Sequence, residues 1–312
     1  MAAVRTDLAL EAHEMCAEEA EEERKIDGVS VDIQQEDSIS VTRIMIENEK
    51  GEAALGKPRG TYVTIEAPDI KYSVEAYEKT CMRIAEELRK MADIREDTVT
   101  LVVGLGNKQI TPDALGPDVV SKLMVTNHMR KHMQEYLDEG ISSVCAIAPG
   151  VLGTTGMETA EIIKGVVEQV HPGLVIAVDA LASRSLDRIS TTIQIADTGI
   201  NPGAGVENNR EGLNEETIGT KVIAIGVPTV VDAATIASDS IDMAMADLDE
   251  EMQDVEKQNL IRSALSKNIG GLMVTPKDID LVIEKTSKTV ANGINLALHK
   301  NMTFEEIERF VG

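Results

Sequence analysis

Four short aliphatic runs, at 98–103, 144–148, 174–178 and 222–227, are separated by longer stretches with helical spacing. Each run is apolar at consecutive positions, so both of its faces must be covered, as for strands in a parallel sheet sandwiched between helices. The alternation predicts an α/β fold: a three-layer αβα sandwich with a mainly parallel sheet. Helices are expected over 113–138, 157–170 and 230–247. A further run, 191–196, comes too soon after 174–178 for a helical crossover and predicts an antiparallel strand at an edge.

Upstream of this region the pattern changes. Segments 29–33, 38–46 and 61–66 are β-rich and separated by polar, glycine-bearing turns, which predicts antiparallel strands in an N-terminal β-rich subregion. A helical pattern occupies 74–91. Seven glutamates between Glu11 and Glu23 predict a solvated helix or a mobile arm. Near the C-terminus, Thr275-Pro276-Lys277-Asp278 and the pair Thr303 and Glu306 carry helix-start signals, whereas 247–259 is acidic and reads as an exposed helix end or connection.

Charge excludes some functions. The chain has 54 acidic against 30 basic side chains, a formal charge of −24, and phosphate backbones require clustered cations. With two Phe, four Tyr and no Trp it also lacks platforms on which bases could stack. No nucleic-acid partner is expected. No apolar run reaches the roughly 18–20 residues of a membrane span, and the N-terminus has no basic start before an apolar stretch, so a cytoplasmic protein without a membrane partner is expected. Cys16, Cys81 and Cys145 are far apart and read as reduced. Cys145, inside an apolar run, reads as inert.

Two familiar motifs fail. Gly104-Leu105-Gly106 comes after a predicted strand, but the third glycine of a dinucleotide fingerprint would fall at Gln109 and the helix starts too late to meet a pyrophosphate. No Gly-Lys-Ser or Gly-Lys-Thr occurs. His128 and His132 are four apart without H-E-x-x-H, which favours an exposed helix face over a metal site. No metal and no cofactor is assigned.

Two aspartates are more informative. Asp113, in Thr111-Pro112-Asp113-Ala114-Leu115-Gly116, lies just after the 98–103 strand, and Asp179 ends the 174–178 strand. Ligands of open parallel sheets bind outside the carboxyl ends of the strands, so the two acids could converge there. Converging carboxylates share a proton, leaving one acid and one base to act on a water. Alternatively Asp113 complements a helix dipole in a first turn, and Asp179 caps the segment after its strand; spacing alone leaves Asp113 evenly poised. The loop 197–206 holds Gly199, Gly203 and Gly205, whose backbone N–H groups could bind an anion or a peptide carbonyl.

At these residues the chain resembles the germination proteases of spore-forming bacteria, endopeptidases that degrade small acid-soluble spore proteins. The resemblance runs nearly end to end, through Val4-Arg5-Thr6-Asp7-Leu8-Ala9, Val102-Val103-Gly104-Leu105-Gly106-Asn107, Thr111 to Pro117, Ala177-Val178-Asp179-Ala180-Leu181-Ala182, Ile193-Gln194-Ile195 and Ile223 to Ala233. It implies a cytoplasmic homotetramer of the spore core, made as an inactive precursor, with Asp113 and Asp179 as the catalytic pair. It also implies self-cleavage between Asp7 and Leu8, and so a propeptide at 1–7, an N-terminal arm and β-rich part at 8–92 and a catalytic core at 93–312. Recognition of an acidic substrate residue calls for local cations, for which Arg184 and Arg188 are candidates, with Gly203 and Gly205 as further substrate-binding positions. More distantly, the Gly-Asn and Asp-Ala segments resemble hydrogenase maturation proteases, whose corresponding acids bind nickel with a histidine; no histidine here matches.

Overall fold

The structure is a computed structural model of the 312-residue chain and describes residues 6–19, 26–95, 98–132, 140–201, 211–237, 239–240 and 272–311. Among these residues the strands are β1 (Val29–Glu36), β2 (Ile39–Ile46), β3 (Gly60–Glu66), β4 (Val99–Gly104), β5 (Ser143–Ile147), β6 (Leu174–Ser183), β7 (Thr192–Ala196), β8 (Val222–Asp232) and β9 (Met273–Val274). The helices are α1 (Ala9–Glu19), α2 (Glu49–Leu55), α3 (Val74–Met91), α4 (Leu115–Val120), α5 (Asn127–His132), α6 (Leu152–Thr155), α7 (Thr159–Val170) and α8 (Glu215–Ile218), and then α9 (Ile279–Leu298) and α10 (Phe304–Val311).

All nine strands form one sheet in the order β1-β2-β3-β7-β8-β6-β4-β5, with β9 beside β8. The strands β8, β6, β4 and β5 pair in parallel, and the N-terminal strands continue from them through antiparallel ladders. The β-rich N-terminal part is thus an extension of the core sheet. β7 is antiparallel as expected but interior, because β3 pairs along one side of it and β8 along the other. No sequence pattern near 191–196 announces β3, which lies about 130 residues upstream.

Alternation along each strand divides the side chains between two helical layers. On one face Val102, Ile176, Val178, Ile193, Ile195, Ile223 and Ile225 pack against α3, α4 and α9. On the other, Leu101, Val103, Val175 and Ala177 meet Ala160 and Ile163 of α7, while Ile44, Ile46 and Tyr62 meet α1 and α2. This is the three-layer αβα sandwich. α3 starts at Ser73, whose hydroxyl accepts the Ala76 N–H, and buries Cys81, Ile84, Ala85 and Leu88 on one stripe. Gly293 of α9 allows the helices to approach closely, since a Cβ there would lie 2.6 Å from Ile84.

Three expectations change. The helix expected over 113–138 is a 3-10 turn (Thr111–Asp113), then α4, a break, and α5, with 133–139 outside the described residues. The break is held by α9 and β5: Asn295 Oδ1 accepts Met124 N–H, and Thr126 N–H donates to Val144 O. The 230–247 helix begins only at 233, because β8 runs through Asp232 and its last two residues pair with β9. The acidic stretch 247–259 lies outside the described residues. Finally, α1 is packed down instead of solvated: Ala9 is fully buried and Glu11 is 1% exposed.

Candidate functional site

Asp179 does not close a strand. It is the sixth residue of the ten-residue β6, but the ladder from β4 ends at Gly104 opposite Val178, and Leu105 N–H caps Val178 O at 2.8 Å. Asp179 is therefore the first β6 residue beyond the carboxyl end of its neighbour. It is 6% exposed, and alternation places it on the face of Val175 and Ala177. One carboxylate oxygen accepts Ala180 N–H at 2.9 Å.

Asp113 is delivered from β4 by a tight return. Its 3-10 turn lies against β6 and β8, and Asn107 N–H is shared between the Asp113 carbonyl, 3.0 Å, and its Oδ2, 2.8 Å. Gly106 adopts φ +108°, and a Cβ on it would stand 2.1 Å from the Asp113 carbonyl oxygen; one on Gly104 would stand 2.2 Å from that of Gly116. The Gly104-Leu105-Gly106 segment is thus a backbone clasp around the Asp113 turn, a sufficient reason for two glycines where no phosphate loop exists. Asp179 thus lies just past the end of the β4 ladder, and the turn bearing Asp113 packs against β6 and β8.

Beside them the N-terminal segment is laid onto the sheet. Asp7 N–H donates to Ala182 O and Ala182 N–H returns a bond to the Asp7 carboxylate, both at 2.9 Å. Gln194 accepts Ala9 N–H on Oε1 at 2.7 Å and donates from Nε2 to Asp7 O at 3.2 Å. Lys57 Nζ donates to the carbonyls of Thr6, 3.2 Å, and Asp7, 3.0 Å. Leu8 and Ala9 are fully buried. The segment borders a cleft of about 400 Å³ lined by Asp7, Lys57, Tyr62, Gln194, Thr198 and Gly226, among others.

Burial raises the Asp7 carboxyl above its ordinary range, against the Ala182 bond and Lys57, with Glu11 adding to the rise. Burial likewise lowers the Lys57 amine, opposed by Asp7 and Glu11. Glu11 anchors the start of α1 by accepting Arg184 N–H at 2.7 Å, Ser185 N–H at 3.0 Å and the Thr6 hydroxyl.

The two arginines face the chain's own acids. Arg188 makes two 2.7 Å bonds to Glu14 and lies 3.3 Å from both Glu11 and Glu66. Burial works against its charge, and these carboxylates outweigh that, keeping it protonated. Arg184 lies 3.6 Å from Asp239. Gly203 and Gly205 lie outside the described residues, as do residues 1–5. Among the described residues, no group of three or more His, Cys, Asp or Glu is placed to hold a metal. Cys145 has its thiol pushed up by burial.

Lys57, Gln194 and Glu11 escaped the sequence reading. Gln194 left a signal, a long polar side chain between Ile193 and Ile195 in a strand whose other residues are all buried. Lys57 left none, since its role depends on a segment 50 residues upstream.

The fold is an α/β sandwich with a stretch of extended chain held against its sheet, and the family match gives its class, a peptidase. The model of the germination protease family matches residues 9–256 and 249–311, and the chain belongs to that family. It is 49% identical to the germination protease of Clostridium perfringens, with 99% of each chain covered. Against that of Caldanaerobacter subterraneus it is 47% identical, covering 99% of this chain and 98% of the other. Against that of Bacillus cereus the figures are 40%, 95% and 94%. The chain is a spore-germination endopeptidase by family. No described helix is long and apolar enough to cross a membrane.

Proposed function

We propose that this endopeptidase cleaves small acid-soluble spore proteins in the spore core during germination, using a water activated jointly by Asp113 and Asp179. The observation that carries this reading is that Asp179 is the first β6 residue beyond the end of the β4 ladder, while the turn bearing Asp113 packs against β6 and β8. In this reading the two carboxylates hold one proton between them. The ionised one takes a proton from water as its oxygen adds to the peptide carbonyl, and the protonated one gives its proton to the departing amine. Neither forms a covalent intermediate.

The chain is made as a self-processing precursor that loses residues 1–7 by cleavage between Asp7 and Leu8, and it works as a homotetramer. The docking of Thr6 to Ala9 in an ordered, hydrogen-bonded path supports the first point. Incubation with a purified small acid-soluble spore protein, with and without a chelator, and mass spectrometry of the products tests the reading. Discrete cleavage products insensitive to chelation are expected. An intact substrate, or activity lost to chelation and restored by metal, would overturn it.

A further inference from the structure

Among the described contacts, the Asp7 carbonyl receives two side-chain donors from separate elements, Lys57 Nζ at 3.0 Å from the α2–β3 connection and Gln194 Nε2 at 3.2 Å from β7. The flanking chain is tied by the same two side chains and by β6: Thr6 O accepts from Lys57 Nζ, Ala9 N–H donates to Gln194 Oε1, and Asp7 N–H and its carboxylate bind Ala182. The Gln194 amide thus grips the chain on both sides of Leu8, and the two donors converge on the carbonyl of the Asp7–Leu8 bond. We propose that Lys57 and Gln194 are the carbonyl-polarising pair of this peptidase, acting on Asp7 during self-processing and on the equivalent carbonyl of a substrate peptide afterwards. This rests on the self-processing reading above.

The placement suits the chemistry. Asp179, Gly226 and Gln194 are cross-strand partners on β6, β8 and β7, so acid and amide rise from one row of the sheet about 10 Å apart, with no side chain on the strand between them. Leu181 leans over Gly226, where a Cβ would stand 2.3 Å from its Cδ1. Gln194 is 8% exposed in an aliphatic strand, and its buried amide, like the Lys57 amine, is satisfied by the backbone of residues 6–9 alone among the described contacts. As the water oxygen adds to the Asp7 carbonyl carbon, one water proton passes to the acid pair and the carbonyl π electrons move onto oxygen, facing Lys57 and Gln194. Collapse of this adduct breaks the C–N bond, the Leu8 nitrogen takes a proton from the pair, and the products are an Asp7 carboxyl and a Leu8 amine. Donors already aimed at that oxygen stabilise the charge without reorganising.

The test monitors self-processing of the full-length chain by intact mass, in the wild type and in Lys57→Met, Lys57→Arg and Gln194→Glu, the last keeping an acceptor for Ala9 N–H. Hydrogen exchange at residues 7–9 reports docking. Lys57→Met and Gln194→Glu should each slow processing by about 100-fold or more with docking and melting temperature preserved, and Lys57→Arg should recover part of the rate. Wild-type rates in both variants, or slowing that tracks lost protection at 7–9, would overturn the pair. If the wild type never releases residues 1–7, the self-processing reading falls by itself. The pair is then judged by cleavage of a Thr-Asp-Leu-Ala-Leu-Glu peptide: a fall in kcat at steady KM supports it, and an unchanged kcat overturns it.

Discussion

At the scale of single residues, the environments of carboxyl groups in this sheet set the chemistry. Asp113→Asn and Asp179→Asn should each reduce peptide cleavage by at least about 100-fold while circular dichroism stays that of the wild type, and the double variant should be little worse than either single one. Asp7 behaves differently. Burial raises its carboxyl above the ordinary 3.8, with Lys57 pulling down and Glu11 pushing up, so its ionised form is disfavoured where it lies. Docking of residues 6–9 should therefore strengthen as pH falls through that raised value toward 3.8 and weaken as pH rises back through it, which hydrogen exchange at Leu8 and Ala9 across the acidic range can track. The positions of Asp113 and Asp179 near the carboxyl edge of the parallel ladder were legible in the sequence because each lies in an apolar strand or after one. The polar contacts of Lys57 and Glu11 were not, because each depends on a partner far away in sequence, and a run of glutamates reads as solvent-exposed until Arg184, Ser185 and Arg188 are brought to it.

At the scale of elements, the turn that carries Asp113 is as important as the acid. Gly106 has φ +108° and no room for a Cβ against the Asp113 carbonyl, whereas Gly153 in α6 has nothing within 4 Å. Gly106→Ala should lower the melting temperature by several degrees and remove activity by displacing the turn, while Gly153→Ala should leave both unchanged. Thermal melts and peptide assays on the two variants check this. The elements best read from sequence were those with a strong local period, α3 and the aliphatic strands. Those read less well were set by tertiary partners: the 113–138 helix breaks where Asn295 and Val144 bind its backbone, and β7 is interior because β3 returns to it.

For the molecule as a whole, acidity cuts both ways. His299 is fully buried with Nε2 near Met124 O, and burial lowers it to about 4, so it stays neutral in the fold while the unfolded chain protonates near 6.5. The unfolded state then binds more protons between these values, and stability falls as pH drops from 6.5 to 4, by about 3 kcal/mol in full. Denaturant melts of the wild type across this range should show the loss, and His299→Gln should flatten it.

The most direct test of the Asp113–Asp179 account is N-terminal sequencing of the full-length wild type, Asp113→Asn and Asp179→Asn after incubation at mildly acidic pH with a chelator present. The account predicts a wild-type product beginning Leu8-Ala9-Leu10 and an unprocessed N-terminus in both folded variants. Processing at Leu8 in either variant, or its abolition in the wild type by the chelator alone, would contradict it.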